Sequence, residues 1–364
     1  MKVGIMTEKI NLPQSFLEHI LWKTDGNPIW LATSFLLHRN LAKYNFPQKM
    51  NEGQFQQTLD LLREQLLKSS LLQSPVALKA EEINALDKEY LFEHFLCLSG
   101  FQNMCKGQEF IIDNSCQFLA KINMEDHLQM QLIDSEGSWE KAWNILNQIE
   151  TKMGGSLDLA FSQKFGYLTA NPSVCGTGLT IQAYLHLPAL IHTHQLQETW
   201  LKQKEEGIAM LGMGGNSEEL AGDLVVISNT YTLGIDEESI LRSIHSIAMK
   251  LMASEQTLRS HLQGENNSAI KDQISRSFGL LLHSYQLQTK EALEALSLIK
   301  LGIHLDWIGG ITDAKLNSLF FQCQRAHLLH ALKETQVSDL QEIAHKRADF
   351  LHKNMQGVLL KTGA

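Results

Sequence analysis

Glu125-Asp126-His127 sets two carboxylates beside an imidazole, between two segments of strand-like character. Such a trio can supply a general base or a metal ligand. The same residue types are ordinary turn formers, so a plain turn explains them too. Cys175-Gly-Thr-Gly178 looks like part of a phosphate-cradling loop, in which backbone N–H groups hold an anion. It lacks the GxxxxGK[ST] frame and a following lysine, and a tight turn entering a strand accounts for it equally well. Leu211-Gly-Met-Gly-Gly-Asn216, followed by Glu218 and Glu219, reads as a loop that could close over a ligand or simply as a surface loop.

His186, His192 and His194 raise the question of a metal. In an extended segment, His192 and His194 would point to one side. No carboxylate or cysteine nearby in sequence completes a ligand set, so no metal is expected. Cys175 has no basic neighbour in sequence to lower its thiol pKa, which favours an inert cysteine. The five cysteines (Cys97, Cys105, Cys116, Cys175, Cys323) show no CxxC spacing and read as reduced thiols of a cytoplasmic protein.

The basic residues are unevenly chosen. Lys and Arg together number 31 in 364 residues, yet only Arg39, Arg63, Arg242, Arg259, Arg276, Arg325 and Arg347 are arginines. Residues 64–241 contain none. The net charge of −9 argues against nucleic-acid binding, which needs a cationic surface. No apolar run approaches the roughly 18 residues of a membrane span, and the N-terminus lacks the apolar core of a signal peptide.

These candidates need elements to position them. The first hundred residues read as mostly helical, with Phe55, Leu59, Leu62, Leu66 and Leu67 at a helical period. Residues 109–113, 116–124 and 127–133 read as strands of an antiparallel meander. Residues 139–153 form an amphipathic helix that Gly154-Gly155 stops. Strands are expected over 177–187 and 223–231, with a polar helix over 196–206 between them. After Gly234 the pattern is helical over 236–262, 267–302, 313–334 and 338–354, the last with Ser338 as N-cap and Gln341 completing a capping box. The expectation is an α+β chain: a small helical N-terminal part, an antiparallel sheet flanked by helices, and a helical C-terminal domain. Residues 1–262 would form the first domain and 263–364 the second.

The order of short motifs resembles the ATP:guanido phosphotransferases, or phosphagen kinases. Arg39-Asn-Leu41 with Phe46-Pro47 is followed by Glu125-Asp-His-Leu128. Gly166-Tyr-Leu-Thr169, Pro172 and Gly176-Thr-Gly-Leu179 come next, then His186-Leu-Pro188. Ile227-Ser-Asn229 with Thr232-Leu-Gly234, and Leu301-Gly-Ile303, complete the series. The helical tail is similar to the bacterial protein-arginine kinase branch, which phosphorylates arginine side chains on proteins and carries a C-terminal dimerisation domain. The resemblance implies ATP and magnesium as cofactors, arginines that clamp the ATP phosphates, and glutamates that hold the target guanidinium. Phosphoryl transfer is catalysed chiefly by positioning and charge neutralisation, for which arginine's planar fork is suited.

Against that pattern the sequence departs selectively. The family's Ser-x-Arg-x-Arg-Leu-Ala-Arg-Asn-Leu keeps its second half as Leu37-His38-Arg39-Asn40-Leu41, while the two clamp arginines fall on Ser34 and Leu36. The arginine after Glu-Asp-His-Leu is Gln129, and the one ending Gly-Thr-Gly-Leu-Arg is Thr180. The arginine that opens the glycine-rich loop is Leu211, and the cysteine before Pro172 is Asn171. Glu125 and Glu219 stand at the positions of the family's substrate-handling carboxylates. No lysine sits at or next to the altered positions in sequence. Of the branch's phosphoarginine-binding Arg-Asp-x-x-Arg-Ala, Arg347-Ala348 remains, with Lys346 and His345 beside it. Arg347 is expected either as a phosphate contact or as a solvated helix residue.

The expectation is a pseudokinase: a cytoplasmic homodimer that scaffolds or regulates an active kinase, a zinc-finger activator protein or a Clp-type unfoldase. The rival is a working protein-arginine kinase with an unusual clamp, Glu125 as base and Glu219 orienting the guanidinium.

Overall fold

The computed structural model describes residues 12–19, 21–22, 27–97, 106–264, 267–334 and 339–361. Eight antiparallel strands make its central sheet. They are β1 (Trp30–Arg39), β2 (Val76–Lys79), β3 (Glu109–Ile112), β4 (Phe118–Ile122), β5 (Leu128–Asp134), β8 (Leu179–His186), β9 (Ile208–Leu211) and β10 (Leu224–Asn229). Their order is β2-β3-β4-β5-β1-β8-β10-β9. Two small ribbons stand apart, β6 (Phe161–Ser162) with β7 (Gly166–Tyr167), and β11 (Ile308–Gly309) with β12 (Leu359–Leu360). The helices are α1 (Gln14–Leu17), α2 (Glu52–Leu67), α3 (Ala85–His94), α4 (Trp139–Gly154), α5 (Pro188–His192), α6 (Leu196–Gln203) and α7 (Glu237–Gly264). The tail adds α8 (Ser268–His283), α9 (Thr289–His304), α10 (Asp313–Gln322), α11 (Arg325–Ala331) and α12 (Leu340–Asn354).

Both faces of the sheet are covered. On one, Phe35, Leu37, Met130, Leu132, Ile181 and Ile227 pack against Leu62 of α2, Leu146 of α4 and Leu251 of α7. On the other, Ala32, Ile133, Tyr184 and Val226 share a core with Phe16, with Tyr90 and Phe95 at α3, and with the C-terminal Leu293, Leu296 and Phe320. The sheet's second face is therefore closed by the N-terminal segment and the C-terminal helices together.

The α+β architecture with an antiparallel sheet is as the sequence pattern implies. Three local expectations are corrected. The first hundred residues are not mostly helical, for they contain β2 and the ten-residue β1, the central strand. Residues 267–302 and 313–334 each break into two helices, at Ser284–Gln288 and Cys323–Gln324. An unforeseen strand, β9, follows α6. The Ser338 cap lies outside the described residues. The N-cap observed for α12 is Asp339, whose side chain accepts from the Gln341 N–H at 3.0 Å.

Candidate functional site

Directly opposed residues of antiparallel strands share a face, as do residues two apart along one strand. Ser34, Leu36 and His38 therefore line one face of β1. Leu36 is opposed by Gln131 on β5 and Thr180 on β8. His38 is opposed by Gln129, which is opposed in turn by Lys121 on β4. Ser34 is opposed by Gln182, and Gln182 by Ser228 on β10. Tyr184, two residues along β8, leads through Val226 to Leu211 on β9. Ser34, Leu36, Gln129, Thr180 and Leu211 are distant in sequence, yet the fold gathers all five on this one face.

Amide and hydroxyl groups dominate the face. Gln131 Nε2 donates to Ser34 Oγ and to the Phe95 carbonyl, both at 2.9 Å. Tyr184 Oη donates to Gln182 Oε1 at 3.0 Å. Leu36 and Leu211 present only hydrocarbon. One correction concerns charge. Lys121, buried in the face at 6 % exposure, adjoins Gln129 across the β4–β5 pairing, so a lysine does sit next to an altered position. Even so, five uncharged side chains with one lysine and one histidine do not fit a magnesium–triphosphate complex, which needs several converging cations.

Beside this face Asp126 forms a hub. His38 Nδ1 lies 2.8 Å from Asp126 Oδ2, while Asn40 Nδ2 and the Ala170 N–H donate to Oδ1 at 2.6 and 2.7 Å. Burial pushes the Asp126 carboxyl up, but these hydrogen bonds outweigh it and hold it below the usual carboxylate range. An ionised Asp126 requires the proton on His38 Nδ1. His127 accepts from the Leu41 N–H at Nδ1 and therefore donates from Nε2 to the Asn45 carbonyl. Burial lowers its pKa, which keeps it neutral. Arg39 donates to Glu150 and to the His38 and Thr177 carbonyls, with its guanidinium 3.5 Å over the Tyr167 ring. The surviving motif residues Arg39, Asn40, Asp126 and His127 thus hold turns together.

The two candidate carboxylates are not brought together. Glu125 is exposed in the β4–β5 turn, at the sheet end marked by Arg39 and Asn229, where Gln48 donates to its carbonyl. Glu219 lies on the β9–β10 loop, which leaves the opposite end near Leu224, and pairs with Lys290 of α9 at 3.0 Å, both side chains more than half exposed. An eight-residue strand such as β8 separates those ends by about 25 Å.

The remaining candidates are structural in their contacts. Gly176, at φ +111°, hydrogen-bonds Tyr167 through both N–H and C=O. A Cβ there would stand 2.1 Å from the Thr232 carbonyl oxygen, so the Gly-Thr-Gly turn needs glycine for close packing. Cys175, half-buried, has its sulfur 3.3 Å from Thr169 Oγ1. His192 sits on α5 rather than an extended segment, with Nε2 3.1 Å from Asp223. His186 is buried against Ser297 at 2.7 Å, and His194 is exposed beyond the helix end. Among the described residues no group of three or more His, Cys, Asp or Glu could hold a metal ion. Arg347 is not a solvated helix residue. It is 3 % exposed and donates to the Cys323 and Leu287 carbonyls at 2.6 and 2.7 Å.

Comparison with known proteins decides the family. The ATP:guanido phosphotransferase C-terminal catalytic domain matches residues 56–258, and the protein-arginine kinase McsB C-terminal domain matches residues 267–362. A protein-arginine kinase of Chlamydia pneumoniae is 35% identical over 357 residues, 96% of this chain and 99% of that protein. The chain belongs to the ATP:guanido phosphotransferase family, in its protein-arginine kinase branch. A protein-arginine kinase of Halothermothrix orenii is 30% identical over 82% of this chain and 86% of its own length. Among solved phosphagen kinases, lombricine kinase superposes with a TM-score of 0.57 at 19% identity, over 71% of this chain and 74% of its own. The substrate-free duplicated taurocyamine kinase of Schistosoma mansoni gives 0.56 at 18%, over 79% and 43%. These two share the fold. No helix among the described residues is long and apolar enough to cross a membrane.

Proposed function

We propose that this member of the protein-arginine kinase family is a pseudokinase, acting as scaffold or regulator in protein-arginine phosphorylation. One observation carries the reading. The five positions where the family pattern places phosphate-binding arginines share one sheet face, and they hold Ser34, Leu36, Gln129, Thr180 and Leu211. Each charge-assisted hydrogen bond to phosphate is worth about 1.5–3 kcal/mol. Losing several removes most of the roughly 8 kcal/mol behind micromolar nucleotide affinity. The exposure of Glu125 and the Lys290 pairing of Glu219 support the same reading. Its finer parts are a cytoplasmic homodimer and, as partners, an active kinase, a zinc-finger activator or a Clp-type unfoldase. Calorimetric titration with Mg-ATP is expected to show no micromolar binding, and labelled ATP no autophosphorylation with or without a candidate activator. Family-like affinity, or a signal abolished by Glu125→Gln, would establish instead an active protein-arginine kinase with an atypical clamp.

A further inference from the structure

Lys121, Gln129 and His38 form one row across β4, β5 and β1. Lys121 is 6 % exposed, and among the described residues it makes no salt bridge. An ammonium with no carboxylate partner keeps its charge available to an anion. His38 is also buried, at 6 %. Asp126 takes its Nδ1, which fixes the ring's orientation, and Nε2 has no hydrogen-bond partner among the described residues. Between them Gln129 is 4 % exposed, with its amide nitrogen 3.2 Å from His38 Nδ1.

Neighbouring strands lie about 4.8 Å apart, so Lys121 and His38 flank Gln129 with their backbones about 10 Å from each other. An extended lysine and an imidazole are together long enough to span that distance from both sides. The family motif quoted above has alanine at the position of His38, so the histidine belongs to this chain rather than to the clamp it has lost. Along β1 and β9 the same face continues into Leu36 and Leu211, which offer nothing to a second or third phosphate.

We propose that the Lys121–Gln129–His38 row binds a single tetrahedral oxyanion, either free phosphate or a phosphoryl group borne on a side chain, and not a nucleoside triphosphate. This rests on the reading of the face as one stripped of its Mg-ATP clamp. Lys121 supplies the charge and Gln129 an amide donor, while the His38 ring, held by Asp126, positions the Gln129 amide beside it.

The test titrates the full chain with inorganic phosphate, phosphoarginine and Mg-ATP, followed by calorimetry. Lys121→Met is expected to weaken phosphate binding about 10- to 100-fold, the effect of one lost charge-assisted hydrogen bond. Lys121→Arg keeps the charge and retains binding, and His38→Ala weakens it by a smaller factor. Unchanged melting temperatures establish that the variants fold, and His38→Ala gives the readout if Lys121→Met does not. Tighter binding of phosphoarginine than of phosphate, with the same Lys121 dependence, identifies a side-chain ligand; the reverse identifies the free ion. No binding of either, or binding indifferent to both residues, overturns the proposal and leaves the loss of ATP binding intact. Micromolar Mg-ATP binding overturns that loss instead, and with it the restriction to a single phosphate.

Discussion

Lys300 shows how much a single buried charge can govern. It lies on α9 at 5 % exposure, its Nζ donating to Asn317 Oδ1 at 2.7 Å. Burial lowers its pKa to about 8; nearby Asp313 opposes the shift and Arg259 adds to it. Between about pH 8 and the ordinary lysine value, the unfolded chain binds a proton that the folded chain does not. Stability must therefore rise with pH across that window, and the cost of charging Lys300 is fully present below it. A shift of this size is worth on the order of 3 kcal/mol. Lys300→Met is expected to be more stable than wild type near pH 7.5 and to lose that advantage by pH 10.5, measured by urea unfolding at each pH. Parallel pH profiles for the two proteins would show that the Lys300 ammonium is accommodated without penalty. The sequence marked Ser34, Leu36, Gln129, Thr180 and Leu211 as altered positions, because motifs run along the chain. It hid Lys121, which meets Gln129 only through strand pairing. It hid the burial of Arg347 for the same reason, since both of its carbonyl partners come from other elements.

Among the elements, β1 is the instructive miss. Trp-Leu-Ala-Thr-Ser-Phe-Leu-Leu-His-Arg is buried along nearly its whole length, because both faces of the sheet are covered. A strand buried on both sides lacks the apolar–polar alternation that betrays a half-exposed one. The β3–β4–β5 meander was legible by contrast, since Asn, Asp and Ser turns punctuate it. Nothing in the sequence separates α8 from α9, since no Gly or Pro marks their junction. Two glycines on these helices should behave oppositely. A Cβ on Gly302 of α9 would stand 2.6 Å from Ile308 Cγ1 and 3.0 Å from Ile274 Cγ2, both side chains buried. Gly279 of α8 has nothing within 4 Å of its Cβ position. Alanine gains about 1 kcal/mol of helix propensity over glycine at either site. At Gly302 overpacking of about 1–3 kcal/mol opposes that gain. Gly279→Ala is expected to raise the denaturation midpoint and Gly302→Ala to lower it. Equal shifts of the same sign would mean that α8 and α9 are not packed this closely.

At the scale of the whole molecule, two polar clusters are among the contacts that fasten the C-terminal helices to the sheet's second face. One lies at the β8 end, where His186 meets Ser297 of α9, and Ser297 and His192 both meet Asp223. The other joins α3 to α11. Glu93 of α3, 8 % exposed, accepts the Ala326 N–H at 2.9 Å and the His327 N–H at 3.0 Å, and meets His327 Nδ1 at 2.7 Å. Beside it Glu89 pairs with Arg325, and Trp22 packs its ring on Phe320 and Phe321 at 5.1 and 4.6 Å. One carboxylate thus satisfies three donors that no other described group meets. Removing it leaves them buried and unpaired, at a cost of about 3–5 kcal/mol. Because α11 shares its core with the sheet, that cost falls on the docking of the C-terminal helices more than on the sheet itself. Wild type is expected to melt in one cooperative transition. Glu93→Ala should broaden or split it, and amide exchange in α10 and α11 should accelerate before exchange in β1 or β8. A Glu93→Ala protein with an unchanged single transition and uniform exchange would show that the Trp22 contacts and the Asp223 cluster hold the two parts together without this carboxylate.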